Sequence, residues 1–148
     1  MGLFDSLNIS ASALTAERVR MDVTAENLAN AQTTRGADGG PYRRKDVVLE
    51  QADGSGGFGA TLRAAMGVGG GSAGGVRVAQ IAEDQQAPRR IYDPTHPDAD
   101  ADGYVELPNV DTVAEMVDLI SSQRAYEANV TAMQSAKAMF AKTLEILR

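Results

Sequence analysis

Two stretches at the ends of the chain, each apolar at intervals of three or four residues, constrain the fold most strongly. The first carries large apolar residues at near-heptad spacing, namely Phe4, Leu7, Leu14, Met21 and Leu28. This spacing indicates a helix with a narrow apolar stripe, closer to a coiled-coil seam than to the broad face of a globular helix. Thr33, Thr34 and Gly36 follow the pattern, so we expect the helix to span about residues 3–32.

The second stretch covers about residues 110–147 and predicts a longer helix. Its apolar positions are Met116, Leu119, Tyr126, Val130, Met133, Phe140, Leu144 and Leu147, with polar interruptions at Gln123 and Lys137. Pro108 prevents an earlier start, because proline lacks the donor that a helix interior needs. The order Thr112-Val-Ala-Glu115 fits a capping box at the helix start.

The segment between the two stretches, residues 36–109, differs in kind. Short β-rich runs at Val47–Leu49 and Gly75–Ala82 predict strands. The glycine-rich part, residues 53–75, predicts a flexible loop. We therefore expect a mainly α fold, in which helices within 1–35 and 110–148 form a coiled-coil-like pair around a small irregular β/loop segment.

The narrowness of both stripes leaves two interpretations of this fold open. One is an intramolecular helical hairpin with a β insert. The other is a chain that folds fully only when its helices pack against further helices. A narrow stripe offers little apolar surface to offset the entropy of ordering a long helix, so we favour assembly with partners.

Composition excludes several functional classes. A net charge of −6 and a pI near 4.7 argue against nucleic acid as a partner, and the short run Arg43–Lys45 is interpreted as a solvated loop. With no cysteine and one histidine, the chain offers no thiolate metal site and no recognisable catalytic set, so we expect no enzyme activity, cofactor or small-molecule substrate. Neither a membrane span nor a cleaved signal peptide is visible in the sequence.

The run DADADGY, residues 98–104, matches the opening of an EF-hand calcium loop at Asp98, Asp100, Asp102 and Gly103. The twelfth position should be a bidentate glutamate but is Asn109. Nearby prolines also disfavour the entering helix that an EF-hand needs. We expect a solvated connector leading to an extended Tyr104-Val105, with His96 as a turn residue. A calcium-responsive binding module is the alternative.

The segment from Ser12 to Thr34 resembles the N-terminal signature of the bacterial flagellar axial proteins that form the rod and hook. The centre of this signature is Asn27-Leu-Ala-Asn30 followed by Thr33-Thr34, and the match extends through Gly39–Lys45. Tyr92–Val105 and Ser122–Val130 look like the FlgC family in particular, whose members form the proximal rod. The resemblance covers nearly the whole chain, except that residues 53–75 look longer than the corresponding family segment.

The resemblance implies a structural subunit of the flagellar basal body that helps to transmit motor torque. It also implies export in an unfolded state through the flagellar type III apparatus without signal cleavage, and a periplasmic place in the rod. Copies of this chain and other rod proteins are then its partners, and the apolar positions of both helices form the assembly interface. By similarity, the signature residues at the end of the first helix are Asn27, Ala29, Asn30, Thr33 and Thr34.

Overall fold

The computed structural model describes residues 3–36, 39–52 and 74–146. Within this part of the chain, two helices precede and follow four short strands in sequence. The elements are α1 (Leu3–Ala29), β1 (Lys45–Gln51), β2 (Val76–Glu83), β3 (Arg89–Tyr92), β4 (Tyr104–Leu107) and α2 (Thr112–Ile146). A mainly α fold with terminal helices and a small β segment between them is therefore confirmed. Pairing of the two helices as a coiled coil stays a prediction.

Helix α1 ends three residues before its predicted end. The main chain tightens after Ala29, where the Ala31 amide donates to the Leu28 carbonyl at 3.3 Å and the Thr33 amide donates to the Asn30 carbonyl at 3.0 Å. These bonds between residues three apart satisfy carbonyls that the helix leaves without a partner. The resulting turn redirects the chain from the helix toward β1.

Helix α2 begins where the sequence predicts, but a different residue caps it. One carboxylate oxygen of Asp111 accepts hydrogen bonds from the amides of Val113, at 2.9 Å, and Ala114, at 3.4 Å. Asp111 is thus the N-cap. The predicted capping box from Thr112 to Glu115 is wrong, because the Glu115 carboxylate is used for other contacts inside the protein.

The strands form two small sheets, one of β1 and β2 and one of β3 and β4. Strands β3 and β4 are antiparallel, and Arg89 pairs with Leu107 while Tyr92 pairs with Tyr104. Gly103 lies in the connection with φ of +78°, and a Cβ there would come within 2.9 Å of the Tyr92 ring. The predicted strands and the extended Tyr104-Val105 are confirmed, whereas β3 was not predicted.

Two compact units divide the chain. One contains Arg20–Val48 and Gln80–Ser121, and the other contains the remaining described residues. Apart from Pro108, the apolar residues buried in the described part of the first unit are valine or alanine, namely Val23, Ala31, Val47, Val105 and Val110. Ala16 and Ala136 are the corresponding residues among the described part of the second unit. Neither described helix combines the length and apolar character needed to cross a membrane.

Candidate functional site

The signature residue Asn27 lies at the centre of a buried polar cluster, with only 1% of its surface exposed. Its Nδ2 donates to the Lys45 carbonyl at 2.8 Å and to Oε2 of Glu115 at 3.2 Å. Its Oδ1 accepts from the Lys45 amide and from the Tyr42 hydroxyl, each at 2.9 Å. An asparagine amide has two donors and two acceptor lone pairs, so Asn27 is fully satisfied.

Glu115 brings helix α2 into the same cluster, and it too is only 1% exposed. Its Oε1 accepts from Nε of Arg44 at 2.6 Å, and this bond raises the pKa of the Arg44 guanidinium. A buried carboxylate is tolerated when an opposite charge and further donors compensate for its lost hydration. The interpretation of Arg43–Lys45 as a solvated loop is therefore wrong for Arg44, whose partner is inside the protein.

Tyr42 closes the cluster on the side of β1. Burial raises the pKa of its hydroxyl to about 12, and the charges of Glu26 and Glu115 contribute in the same direction. Both effects disfavour the phenolate, so the hydroxyl remains a donor to Asn27. Lys45 lies over the Tyr42 ring at 5.6 Å from its centroid, a cation–π contact. We call Asn27, Tyr42, Arg44, Lys45 and Glu115 the Asn27 cluster.

The remaining signature residues form the turn after α1. Nδ2 of Asn30 donates to the Glu26 carbonyl at 2.9 Å, and the Thr33 hydroxyl donates to Oδ1 of Asn30 at 3.1 Å. Asn30 therefore satisfies a main-chain carbonyl at the helix end, as its residue type suggests. Ala29 is exposed. The two signature asparagines thus differ, since Asn27 joins three elements and Asn30 acts locally.

The aspartate run contacts the same turn. The Thr34 hydroxyl donates to Oδ2 of Asp98 at 2.8 Å, and Arg35 lies 3.6 Å from the other oxygen of this carboxylate. Asp100 is paired with Arg90 at 3.4 Å. Two of the three proposed calcium ligands therefore bind protein groups. In the described ranges, no three acidic, histidine or cysteine side chains are grouped in a way that could hold a metal ion.

His96 lies in the turn that precedes the aspartate run, as predicted. Its amide donates to the Asp93 carbonyl at 3.3 Å, and its Nδ1 accepts from the Asp98 amide at 3.1 Å. Hydrogen bonds from the Thr95 hydroxyl and amide lower the pKa of the neighbouring Asp93. These local bonds make the run a structured connector, which favours the connector interpretation over a calcium module.

The predicted interface positions on α2 occupy different environments. Met116, Phe140 and Leu144 are exposed, whereas Leu119, Tyr126, Val130 and Met133 are half-buried. The fully buried positions of this helix are instead Glu115, Ser122 and Ala136, which keep a spacing in multiples of seven. The buried line was missed because its residues are polar or small, and a search for apolar periodicity passes over them.

Sequence reasoning also missed an exposed apolar stripe at the start of α2. It consists of Val113, Met116, Val117 and Ile120, at the helical spacing i, i+3, i+4 and i+7. Val113 is 69% exposed and Val117 is 60% exposed. We call these four residues the Val113 stripe. Their helical spacing is visible in the sequence, but the predicted interface included only Met116 of these four residues.

On α1, the predicted stripe of Leu7, Leu14, Met21 and Leu28 is half-buried. The buried residues Ala16 and Val23 each follow a stripe residue by two positions. Two residues correspond to about 200° around a helix, so the buried line and the leucine-rich stripe lie on opposite faces. Helix α1 therefore has two apolar faces. The predicted interface residues Phe4 and Leu147 have side chains outside the described part of the chain.

Gly75, the last residue of the predicted flexible loop, is closely packed against α1. The Ser12 hydroxyl donates to the Ile9 carbonyl at 2.7 Å and accepts from the Val76 amide at 3.0 Å. A Cβ on Gly75 would lie 1.9 Å from that hydroxyl oxygen. The loop prediction is thus wrong at Gly75, because β2 begins on the surface of α1. Residues 53–73 lie outside the described part.

Comparison with known proteins shows which family models the chain matches. Residues 7–37 match the family model described as flagella basal body rod protein. Residues 101–146 match the model of the C-terminal region of the flagellar basal body rod proteins FlgEFG. These two regions contain both ends of the cluster, Asn27 and Glu115. The fold and the cluster thus belong to the class of flagellar basal-body rod proteins.

Relatives that match over nearly their full length identify the family within this class of rod proteins. The flagellar basal-body rod protein FlgC of Bacillus subtilis (strain 168) is 53% identical, over 99% of both chains. FlgC of Borreliella burgdorferi is 46% identical over 100% of this chain and 99% of its own, and FlgC of Escherichia coli O6:H1 is 43% identical over 99% and 98%. The chain belongs to the FlgC family. It is a structural subunit of the flagellar basal-body rod.

Proposed function

We propose that the chain is built into the proximal rod through its two terminal helices and there transmits motor torque to hook and filament. Copies of this chain and other rod proteins are its neighbours. It reaches the rod unfolded through the flagellar type III export apparatus, without signal cleavage, and functions in the periplasm. Its role is structural and not enzymatic, with no cofactor or small-molecule substrate.

The Val113 stripe is the observation that carries this proposal. Exposed apolar patches of this kind mark protein interaction sites. Burying a valine or isoleucine side chain contributes about 1.5–3 kcal/mol, so leaving four large side chains in water is unfavourable for an isolated chain. A neighbouring helix that covers the stripe would recover this free energy.

Helix α1 supports the same conclusion from the other end of the chain. Its buried face contains Ala16 and Val23, whereas Leu14 and Met21 on the opposite face keep part of their surface in water. A helix with one apolar face satisfied within the chain and a second one partly open is suited to pack on two sides. The half-buried and exposed apolar positions predicted from sequence are therefore proposed as assembly contacts.

Deletion of the gene, followed by electron microscopy of basal bodies and complementation with variants, tests the proposal. Val117→Asp places a charge within the Val113 stripe. We expect rods and motility to be lost, because burying an unpaired carboxylate against a neighbour is strongly unfavourable. The free energy of unfolding of the isolated chain should change by no more than about 0.5 kcal/mol, because the site is exposed.

Ala114→Asp is the matched control. Ala114 is also exposed and lies in the same helical turn, about 110° around the helix from the centre of the Val113 stripe and about 60° from Val117. It adds the same charge outside the stripe and should complement. Normal rods with Val117→Asp would contradict the proposed interface, and intact flagella in the deletion strain would contradict the rod function itself.

A further inference from the structure

The apolar side chains around the Asn27 cluster distinguish poorly between alternative packing arrangements. Apart from Pro108, the buried apolar residues there are valines and alanines, among them Val23, Ala31, Val47 and Val110. Each of these side chains buries little apolar area, so the apolar burial differs only modestly between one alignment and another. Apolar packing alone is therefore a weak determinant of where the last turn of α1 lies relative to the first turn of α2.

Polar contacts discriminate far better between alignments. Displacing α1 by one turn toward its C-terminus, about 5.4 Å, would bring Val23 to the place of Asn27 opposite Glu115. Glu115 would then lose a donor while remaining buried, and the Lys45 main chain would lose both of its bonds to Asn27. Buried polar groups without partners are strongly unfavourable, so displaced alignments are penalised through this cluster.

We propose that Glu115 is a register-determining residue, which selects one axial alignment between the last turn of α1 and the first turn of α2. Polar residues within apolar helix interfaces are known to fix register at some expense of stability. The alignment decides which turn of α1 accompanies the Val113 stripe when a neighbour docks. This consequence rests on the proposed function, whereas the alignment itself concerns the isolated chain.

Distance measurement between two spin labels tests the alignment directly. The chain has no cysteine, so Ala25→Cys and Asp118→Cys introduce two unique labelling sites, both exposed and both in the unit that holds the cluster. Pulsed electron paramagnetic resonance on the full-length labelled chain should give one narrow distance. Glu115→Met, which is similar in size but apolar, should add distances displaced by about 5 Å, one helical turn.

The matched control is Thr24→Val, a polar-to-apolar change at another buried residue of the same unit, which should keep the single narrow distance. Arg44→Met combined with Glu115→Met removes both charges and should broaden the distribution while far-ultraviolet circular dichroism keeps its helical signal. One narrow distance in both Glu115 variants would overturn the proposal. Loss of helix in both variants would also overturn the proposal, because the cluster would then contribute only to general stability. A broad distance distribution in the unsubstituted chain would overturn it as well. Because no rod is needed, these outcomes are independent of the complementation test.

Discussion

The two sides of the first turns of α2 are inverted relative to an ordinary surface helix. One side buries Glu115 against Asn27 and Arg44, and the other exposes Val113 and Val117 to solvent. In a self-sufficient globular domain, the charged residue would face water and the valines would face the core. The stretch from Val113 to Ile120 therefore contains a buried carboxylate on one side and an exposed apolar stripe on the other.

This contrast separates two tasks that a single hydrophobic core usually performs together. The buried side provides little net stability, because a desolvated ion pair roughly balances its attraction against lost hydration. What it provides is a unique arrangement of α1, β1 and α2. The exposed side leaves apolar surface in solvent, and we propose that neighbours in the rod cover it. A rod subunit benefits from this division, because the contacts that fix its internal geometry are separate from the apolar surface that is left for association.

Among the substitutions that test this contrast, Asn27→Asp should have the largest effect on stability. The change is isosteric, but it replaces the Nδ2 donor with an oxygen 3.2 Å from the Glu115 carboxylate. Two buried carboxylates then repel, and the Lys45 carbonyl loses its donor. We expect the free energy of unfolding to fall by about 3–5 kcal/mol, measured by urea denaturation followed by circular dichroism.

Asn30→Asp provides the control three residues further along the same signature. In the described part of the chain, the Asn30 side chain bonds to Glu26 at the helix end and to Thr33 in the turn, so the change removes one donor to the Glu26 carbonyl and adds a charge near the helix C-terminus. This should destabilise the chain by about 1 kcal/mol or less. Equal losses for the two variants would show that the signature acts through its turn and not through the Asn27 cluster.

Much of the fold follows from local sequence signals. The start of α2, strands β1 and β2 and the extended Tyr104-Val105 depend on periodicity, β-branched residues and nearby prolines, which act over a few positions. The cap of α2 did not follow, because Thr112 and Glu115 satisfy a local motif whose glutamate is needed elsewhere. A partner 88 positions away in sequence decides the role of Glu115, and no local pattern contains that information.

The site was predictable only in part. Asn27 and Asn30 were identified through resemblance, which cannot tell that one is buried among three elements while the other is local. Arg44 belonged to a basic run, and such runs are usually solvated. The Val113 stripe was visible in spacing, but the strongest heptad pattern lay elsewhere. Polar contacts over long sequence distances escape a search for apolar periodicity, and such a search does not tell which apolar stripe is left exposed.

A second, smaller effect is expected where β2 meets α1, another contact made by polar atoms. Gly75→Ala places a methyl group 1.9 Å from the Ser12 hydroxyl oxygen and 2.8 Å from its Cβ, so β2 must move away from the helix. The Val76 amide then loses its bond to Ser12. Overpacking of this kind should lower the free energy of unfolding by about 1–3 kcal/mol in urea denaturation.

Gly40→Ala is the matched glycine substitution, because a Cβ at Gly40 has no atom within 4 Å. It should leave stability within about 0.5 kcal/mol of the unsubstituted chain. Combining Gly75→Ala with Ser12→Gly removes both clashing atoms and should recover part of the loss. A Gly75→Ala chain as stable as the original would mean that the glycine-rich segment is free at this end, as the sequence alone suggested.

The smallest expected effect is the pH dependence of stability that Tyr42 contributes, and it tests how the buried side of α2 treats charge. Its pKa is raised to about 12 in the folded chain, compared with an ordinary value of 10. The folded state therefore holds this proton more tightly, so the contribution is fully present below pH 10 and is lost as pH rises toward 12. Urea midpoints should fall across this window. Tyr42→Phe, which also removes one hydrogen bond worth about 1 kcal/mol, should weaken that pH dependence.

Tyr104→Phe is the control, because Tyr104 is exposed on β4 and has its ring against Tyr92 and Arg90, away from the Asn27 cluster. It should leave the fall in urea midpoint between pH 10 and pH 12 unchanged. If Tyr42→Phe kept the full dependence, the phenol would ionise freely and the cluster would be open to water. A weakened dependence in Tyr42→Phe alone would mean that the buried side of α2 excludes charge that it cannot pair. That exclusion is the property required for Glu115 to distinguish one alignment of the helices from another.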